Sequence, residues 1–409
     1  MSSSSLLSTS TNLTKPTRFP LFCPSGRSLS RRILCLRMSC TLRNVPTLQT
    51  VSISYSELKD KNADLSMKIE EGFGPNGLGI LSVSDVPGYS SLRQNLLHLS
   101  PRLANLPEEV KKELEDPASR YNFGWSHGKE KLESGKPDTF KGSFYANPIL
   151  DKPTTEISLI QRYPSYCQPN IWPDNALPEL EADFKALGKL ILDIGLMLAF
   201  HCDRYVSKWM VISEDEGLEQ ILLRSRCHKG RLLYYFPAQQ RYITTGSVVL
   251  LRYIPLSWLL YLTVIPLKLP AQFLHGVDGI RTMVHSQVVF QEDQIAYQIG
   301  ETSEILSAGH LCATPHCVRA PKGENTYGVE RSTFALFMQP DWDENLKFPR
   351  EMNLHQECVI VICPTMTLTF KTYPFHIIGD TEKFLPPNGT LTFGEYSEKL
   401  LDKYYHLKQ

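Results

Sequence analysis

The sequence has no C-x-x-C pair among its ten cysteines, which excludes a zinc ribbon and a thioredoxin-like dithiol. Neither sign of charge is in excess, since 43 basic residues balance 43 acidic ones. No global field therefore draws the protein to nucleic acid or to an anionic lipid surface, and neither is expected as a partner. Acidic residues are absent before Glu57. The leading stretch is rich in Ser and Arg and lacks the continuous apolar core of a secretory signal, a composition that fits an organellar transit peptide. Residues 1–46 are read as a transit or disordered segment, with the chloroplast as the expected address and the mitochondrion or cytoplasm as alternatives. The cysteines outside it are read as buried thiols in a reducing compartment.

A chain of 409 residues has room for two average domains or for one large domain with appendages. After the leader, TLQTVSISYSELK alternates like a strand, and GLGILSVSDVPG repeats the pattern before a Pro-Gly turn. YSSLRQNLLHLSPRLANL and LPEEVKKELED then shift to helical spacing. The stretch from Asn122 to Asp151 is rich in Gly, Ser, Lys and Pro and reads as a long surface loop. A long helix follows in LPELEADFKALGKLILDIGLMLAFHC, where Leu180, Phe184, Leu187, Ile191, Ile194 and Leu198 form one apolar stripe. From Arg231 the pattern changes to short strands, RLLYYFP, SQVVF, QIAYQIG, HLCATPHCVRAP and RSTFALFMQ, before a last helix in FGEYSEKLLDKYYHL. The fold class expected is α+β, with a strand-and-helix region over 47–230 and a sandwich or barrel over 231–409.

Among residues that could carry chemistry, His316 stands in ATPHCVRAP, and fifteen positions later Arg331 opens the strand RSTFALF. With their surroundings, DQIAYQIGETSEILSAGHLCATPHCVRAP and ERSTFALFMQPDW, they resemble the second half of the double-stranded β-helix of plant iron(II)/2-oxoglutarate-dependent dioxygenases, the isopenicillin N synthase-like group. QIGET, LSAGH, His316 and the Arg331-Ser332-Thr333 triplet follow one another in the order of that family's motifs. GLGILSVSDVPG, LPEEVKKEL, NIWPDNALPELEADF and RLLYYFP have counterparts in its N-terminal half.

The resemblance implies a double-stranded β-helix (jelly-roll) core behind a helical N-terminal region. It implies Fe(II) as metal, 2-oxoglutarate as cosubstrate, and a small organic molecule as the substrate for hydroxylation or desaturation. His316 resembles the distal iron ligand. Arg331 and Thr333 resemble the Arg-x-Ser pair that seats the far carboxylate of 2-oxoglutarate, with the hydroxyl kept. The residue types suit those roles: two imidazoles and a carboxylate on one face of iron leave positions for cosubstrate and dioxygen, and an arginine fork beside a hydroxyl suits a carboxylate.

The family's His-x-Asp is missing. Between Gln240 and His316 there is no His-x-Asp and no His-x-Glu, so two of three iron ligands are not found. The nearest substitute is His275-Gly-Val-Asp278, whose spacing of three sends side chains to opposite sides of an extended chain. Tyr234 and Phe236 stand where many members of the family have Asn and Tyr. The failure falls in an atypical apolar segment, 241–287, that contains VVLLRYIPLSWLLYLTVIPL; a second, at 358–384, begins CVIVIC. As a membrane helix the first has the length, about 20 residues, but Arg252, Pro255 and Pro266 oppose it. A divergent strand pair in an iron-free relative would explain the missing ligands. Inserted or substituted sequence would explain both interruptions. Two functional readings stay open, a 2-oxoglutarate oxygenase and a catalytically dead binding module on the same fold.

Overall fold

The computed structural model describes residues 47–130, 136–237, 248–249, 260–264, 271–277, 280–291, 293–314, 316–319, 330–347, 357–363, 366–371 and 390–405; for 47, 248–287, 289, 316–319, 347, 357–371, 390 and 403–405 it describes the backbone alone. The leader expected at 1–46 lies outside the described residues.

The N-terminal region runs through β1 (Thr47–Gln49), β2 (Val51–Ser54), α1 (Tyr55–Lys59), α2 (Ser66–Phe73), β3 (Ile80–Ser84), α3 (Tyr89–Ala104), α4 (Glu108–Glu113), β4 (Gly124–His127) and β5 (Lys141–Ala146). It continues through α5 (Ile157–Arg162), α6 (Pro164–Cys167), α7 (Glu179–Val206) and α8 (Leu218–Leu223). Then come β6 (Lys229–Tyr235), β7 (Val248–Val249), β8 (Leu260–Val264), β9 (Ala271–Val277), β10 (Ile280–Val289), β11 (Ile295–Ile299), α9 (Glu301–Leu306) and β12 (His316–Arg319). The chain closes with β13 (Arg331–Met338), β14 (Asn345–Lys347), β15 (Glu357–Cys363), β16 (Met366–Lys371), β17 (Thr390–Thr392) and α10 (Phe393–Tyr405).

Eight strands form a large sheet in the order β2-β3-β11-β8-β13-β6-β5-β4, and five form a small one in the order β1-β10-β9-β12-β7. All neighbours are antiparallel except β2 with β3 and β1 with β10. Helices α1, α2, α3, α7 and α8 pack on one face of the large sheet, while α6, α9 and α10 cluster with Ala335 and Phe337 of β13 on its other face. The stripe on α7 is fully buried, and Phe184 meets Phe334 of β13 edge to face at 5.0 Å. Ile295, Tyr297, Phe144, Leu232, Phe334, Leu336 and Met338 join the same core. On the opposite, inner face, Ile80 and Ala296 pack with Val288 of the small sheet, so the two sheets meet face to face as in a jelly roll.

Three expectations change. The alternation in TLQTVSISYSELK does not stay extended: Ser54 accepts from the Glu57 amide at 3.3 Å and the Glu57 carboxylate accepts from the Ser54 amide at 3.0 Å, a capping box that starts α1. The polar stretch from Asn122 to Asp151 is not a surface loop. It contributes β4 and a fully buried β5, whose polar side chains are satisfied by one another, as described below. The described residues of the segment 241–287 are strands of both sheets. Its strand β8 lies between β11 and β13 in the large sheet, and β7, β9 and most of β10 belong to the small one. The apolar run is thus strand, not membrane helix, wherever it is described. Among the described residues no helix is long and apolar enough to cross a membrane. In the second segment, β15 and β16 pair only with each other.

Gly230 in β6 shows how tightly α7 lies on the sheet. A Cβ there would come 2.5 Å from the Phe184 ring and 3.0 Å from Phe334, which is close approach of the kind that requires glycine in a strand. Gly230→Val is expected to destabilise the fold by about 1–3 kcal/mol through overpacking, read as a lower denaturant midpoint at unchanged slope.

Candidate functional site

Residues two apart on a strand share a face. On β13, Phe334, Leu336 and Met338 are committed to the α7 core, so Arg331, Thr333, Ala335 and Phe337 take the inner face. Arg331 is opposite Tyr235 and Thr333 opposite Leu233 on β6. The Arg331 guanidinium lies 3.9 Å over the Tyr235 ring, a cation–π contact. The Arg331 Nε and the Thr333 Oγ1 are both buried without a hydrogen-bond partner among the described residues, and Thr333 is only 2 % exposed. A buried polar atom left unpaired costs about 1–3 kcal/mol, and two of them side by side on one face form a seat for an acceptor. A carboxylate fits that chemistry.

Beside this seat the inner face carries a charge network that the sequence reading missed. Lys141 is opposite Tyr235, Ser143 opposite Leu233 and Tyr145 opposite Arg231. Lys141 contacts Glu130 at 2.9 Å and Asp138 at 3.3 Å, and Arg231 reaches Glu130 at 2.5 Å. Arg231 also donates to Ser143 Oγ at 3.0 and 2.8 Å, and the Tyr145 hydroxyl donates to Glu130 at 3.2 Å. Burial alone would raise the Glu130 carboxyl, but Arg231 and Lys141 outweigh it and hold the group at about 2. Burial opposes the Lys141 charge, and Glu130 outweighs it in turn, so that its ammonium is stabilised. Two cations and two carboxylates balance, so this is a neutral wall rather than a second anion site. The alternation Lys141, Ser143, Tyr145 in KGSFYA is the signal that could have revealed it.

His316 opens β12 and is opposite Phe273 of β9. Two residues further along β9 stands His275, so the two histidine positions share a face. Phe273 is opposite Ser286 of β10, and Val288 lies two residues on. Val288 packs against the inner face of the large sheet. The His275 and His316 positions therefore lie on the face of the small sheet that turns toward the large one. His285 is opposite Leu274, on the other face. Asp278, between β9 and β10, lies outside the described residues. The approach to β12 is tied down from the large sheet: Gln298 donates to the Thr314 carbonyl at 3.2 Å, and the Ala313 amide donates to Glu304 at 2.8 Å. Among the described residues no three His, Cys, Asp or Glu side chains come together. The chain's single His-x-Asp, His201-Cys-Asp203, is on α7 and is structural. His201 bonds the Leu58 carbonyl at 3.0 Å, and Asp203 accepts from the amides of Leu218 and Glu219 to cap α8. Nor do the buried thiols offer donors, since burial pushes Cys167 up to about 12 and Cys202 and Cys227 well above the ordinary range.

Residues 48–175 match the family described as non-haem dioxygenase in morphine synthesis, N-terminal. No curated protein matches the chain in sequence. In structure the chain resembles a 2OG-Fe(II) oxygenase family protein from Caulobacter crescentus, with 16% identity, a TM-score of 0.61, and coverage of 86% of this chain and 98% of that one. It also resembles a full-length Neurospora crassa protein solved in complex with alpha-KG, at 16% identity and TM-score 0.59, covering 86% and 95%. The Arabidopsis thaliana dioxygenase for auxin oxidation 1, as its 2-oxoglutarate complex, matches at 15% identity and TM-score 0.50, covering 73% and 93%. The family match covers the N-terminal region, and the solved structures show that the fold is that of the 2OG-Fe(II) oxygenase superfamily.

Because the folded Glu130 carboxyl sits below its ordinary 4.5, its contribution to stability is complete above that value and is lost as pH falls toward about 2. Glu130→Gln leaves Arg231 and Lys141 undercompensated and should cost about 3–5 kcal/mol near neutral pH. The gap between variant and wild type in urea melts should narrow as pH is lowered from 4.5 toward 2.

Proposed function

We propose that the protein binds 2-oxoglutarate through Arg331 and Thr333 and acts as an oxygenase of this superfamily on a small organic substrate, by hydroxylation or desaturation. The observation that carries the reading is the pair of buried donors, Arg331 Nε and Thr333 Oγ1, on the inner face of the jelly roll, neither with a partner among the described residues. The far carboxylate of 2-oxoglutarate would take both, with the guanidinium supplying charge-assisted bonds and the hydroxyl fixing the second oxygen. Iron(II), when bound, would supply activation of dioxygen. His316 is proposed as one ligand, and His275, on the same face, as the candidate second imidazole. Two imidazole positions are two of the three protein ligands such a site needs, and the described residues do not complete the set. The protein's own residues thus account for the cosubstrate seat better than for the metal.

That shortfall supports a second reading, a binding module that keeps the seat and has lost the reaction. An anaerobic titration with iron(II) and 2-oxoglutarate separates the two. A visible charge-transfer band is expected of the oxygenase; retention of 2-oxoglutarate by folded protein with no band supports the module. In calorimetric titrations Arg331→Ala should weaken 2-oxoglutarate about 10- to 150-fold, the loss of a hydrogen-bonded charge, and Thr333→Val about 2- to 10-fold. Unchanged affinity in Arg331→Ala would sink both readings.

A further inference from the structure

We infer that Lys229, Glu398 and Arg120 form a proton-sensitive lock that fastens α10 over the inner face of the large sheet, at the end remote from the Arg331 seat. Lys229 is opposite Phe337, whereas Arg331 stands at the other end of β13. It follows the alternation of Arg231 and Tyr235 along β6, and its side chain is buried. Its Nζ donates to the Ser165 carbonyl and lies 4.3 Å from the centre of the Phe123 ring and 5.3 Å from that of Tyr166. The last helix closes over this group. Phe393 meets Tyr166 edge to face at 5.7 Å, and Phe393, Tyr396 and Leu400 share a core with Ala335 and Phe337.

The charges around Lys229 come from several elements. Cys167 ends α6, Cys227 precedes β6, Asp116 belongs to the turn before β4, and Glu398 is on α10. Glu398 in turn faces Arg120 at 2.9 Å, and the same guanidinium holds Asp402 at 3.1 Å. Arg120 and Tyr121 both take left-handed backbone (φ 57° and 58°), so the turn that presents this guanidinium is itself strained. One arginine serves two carboxylates, and Glu398 Oε1 is buried without a hydrogen-bond partner among the described residues. Burial pushes the Lys229 ammonium down to about 7, against the pull of Cys227, Cys167, Glu398 and Asp116. Burial raises the Glu398 carboxyl, and Asp402 adds to the effect while Arg120 and Lys229 oppose it. Opening α10 lets water reach both groups. The closed form therefore releases the Lys229 proton earlier than the open form, and closure strengthens as pH rises from about 7 toward the ordinary 10.5. Glu398 acts in the opposite sense: closure also strengthens as pH falls toward its raised value. Between the two both groups are charged, and the helix is held least firmly.

The test is hydrogen–deuterium exchange of the full chain, read on peptides from α10 and α7 and corrected for the intrinsic rate at each pH. As a locally opening element, α10 should exchange faster than α7 throughout. Its protection should rise about 5- to 50-fold between pH of about 7 and about 9, the range for one proton released on closure. Lys229→Met, which keeps the bulk and removes the proton, should show no rise in that window. Glu398→Gln takes away a carboxylate that supports the Lys229 charge, so the rise should persist but begin at lower pH. A purely structural contact would not move that midpoint. Flat protection of α10 in wild type, a rise unchanged in Lys229→Met, or an unmoved midpoint in Glu398→Gln overturns the inference. Equal protection of α10 and α7 at every pH does so as well, because the helix would then leave only when the whole chain unfolds. If Lys229→Met does not fold, the wild-type slope and the Glu398→Gln midpoint decide on the same criteria.

Discussion

Phe334, Leu336 and Met338 of β13 are sealed against α7 by a stripe that includes Phe184, Leu187 and Ile191, and the two-residue period of a strand then leaves no choice for the residues between them. Arg331 and Thr333 must lie on the inner face. A slip of one residue in the pairing of β13 with β6 or β8 would put an arginine against α7 and phenylalanines in the seat, which makes the register costly to lose. The same packing fixes Gly230 under the Phe184 ring and leads the Tyr297 hydroxyl to the Ile191 carbonyl at 2.9 Å. The α7 layer packs on the opposite face of β13, yet it determines which side chains form the seat.

On the inner face the governing constraint is electrostatic. Lys141, Arg231, Glu130 and Asp138 neutralise one another, and a buried network of this kind is tolerable only when every member is paired. Arg331 and Thr333 are the exceptions on that face: the cation has an aromatic ring beneath it, and Arg331 Nε and Thr333 Oγ1 have no acceptor among the described residues. In a balanced neighbourhood such a pair of donors is specific for what can pair with it, and a planar carboxylate does so best.

The elements legible in the sequence are those whose periodicity matches a single buried face. The α7 stripe and α10 are examples, since each packs one side on a core. The order of QIGET, LSAGH, His316 and Arg331 was legible too, and it singled out Arg331 and Thr333, whose Nε and Oγ1 are buried without a partner among the described residues. Two kinds of element were not. β5 alternates Lys, Ser and Tyr with small or aromatic residues, and composition alone makes it a loop; only the partners Glu130, Asp138 and Arg231, distant in sequence, make its polar side burial-compatible. β8 is the converse. It has strand neighbours on both edges, and an apolar run at the length of VVLLRYIPLSWLLYLTVIPL cannot be told from a membrane span by hydropathy.

The position of β9 follows from the same reassignment. With the described parts of that segment as strands, His275 is no longer an isolated histidine three residues from an aspartate but a neighbour of His316 on one sheet face. The seat at Arg331 and Thr333 belongs to the large sheet and the two histidine positions to the small one. Any ligand that bridges them depends on the spacing of the sheets. Ile80, Ala296 and Val288 pack between the two inner faces, and Gln298, on the inner face of β11, holds the Thr314 carbonyl just ahead of His316. These few contacts set the gap that a molecule with a carboxylate at one end and a chelating group at the other would have to span.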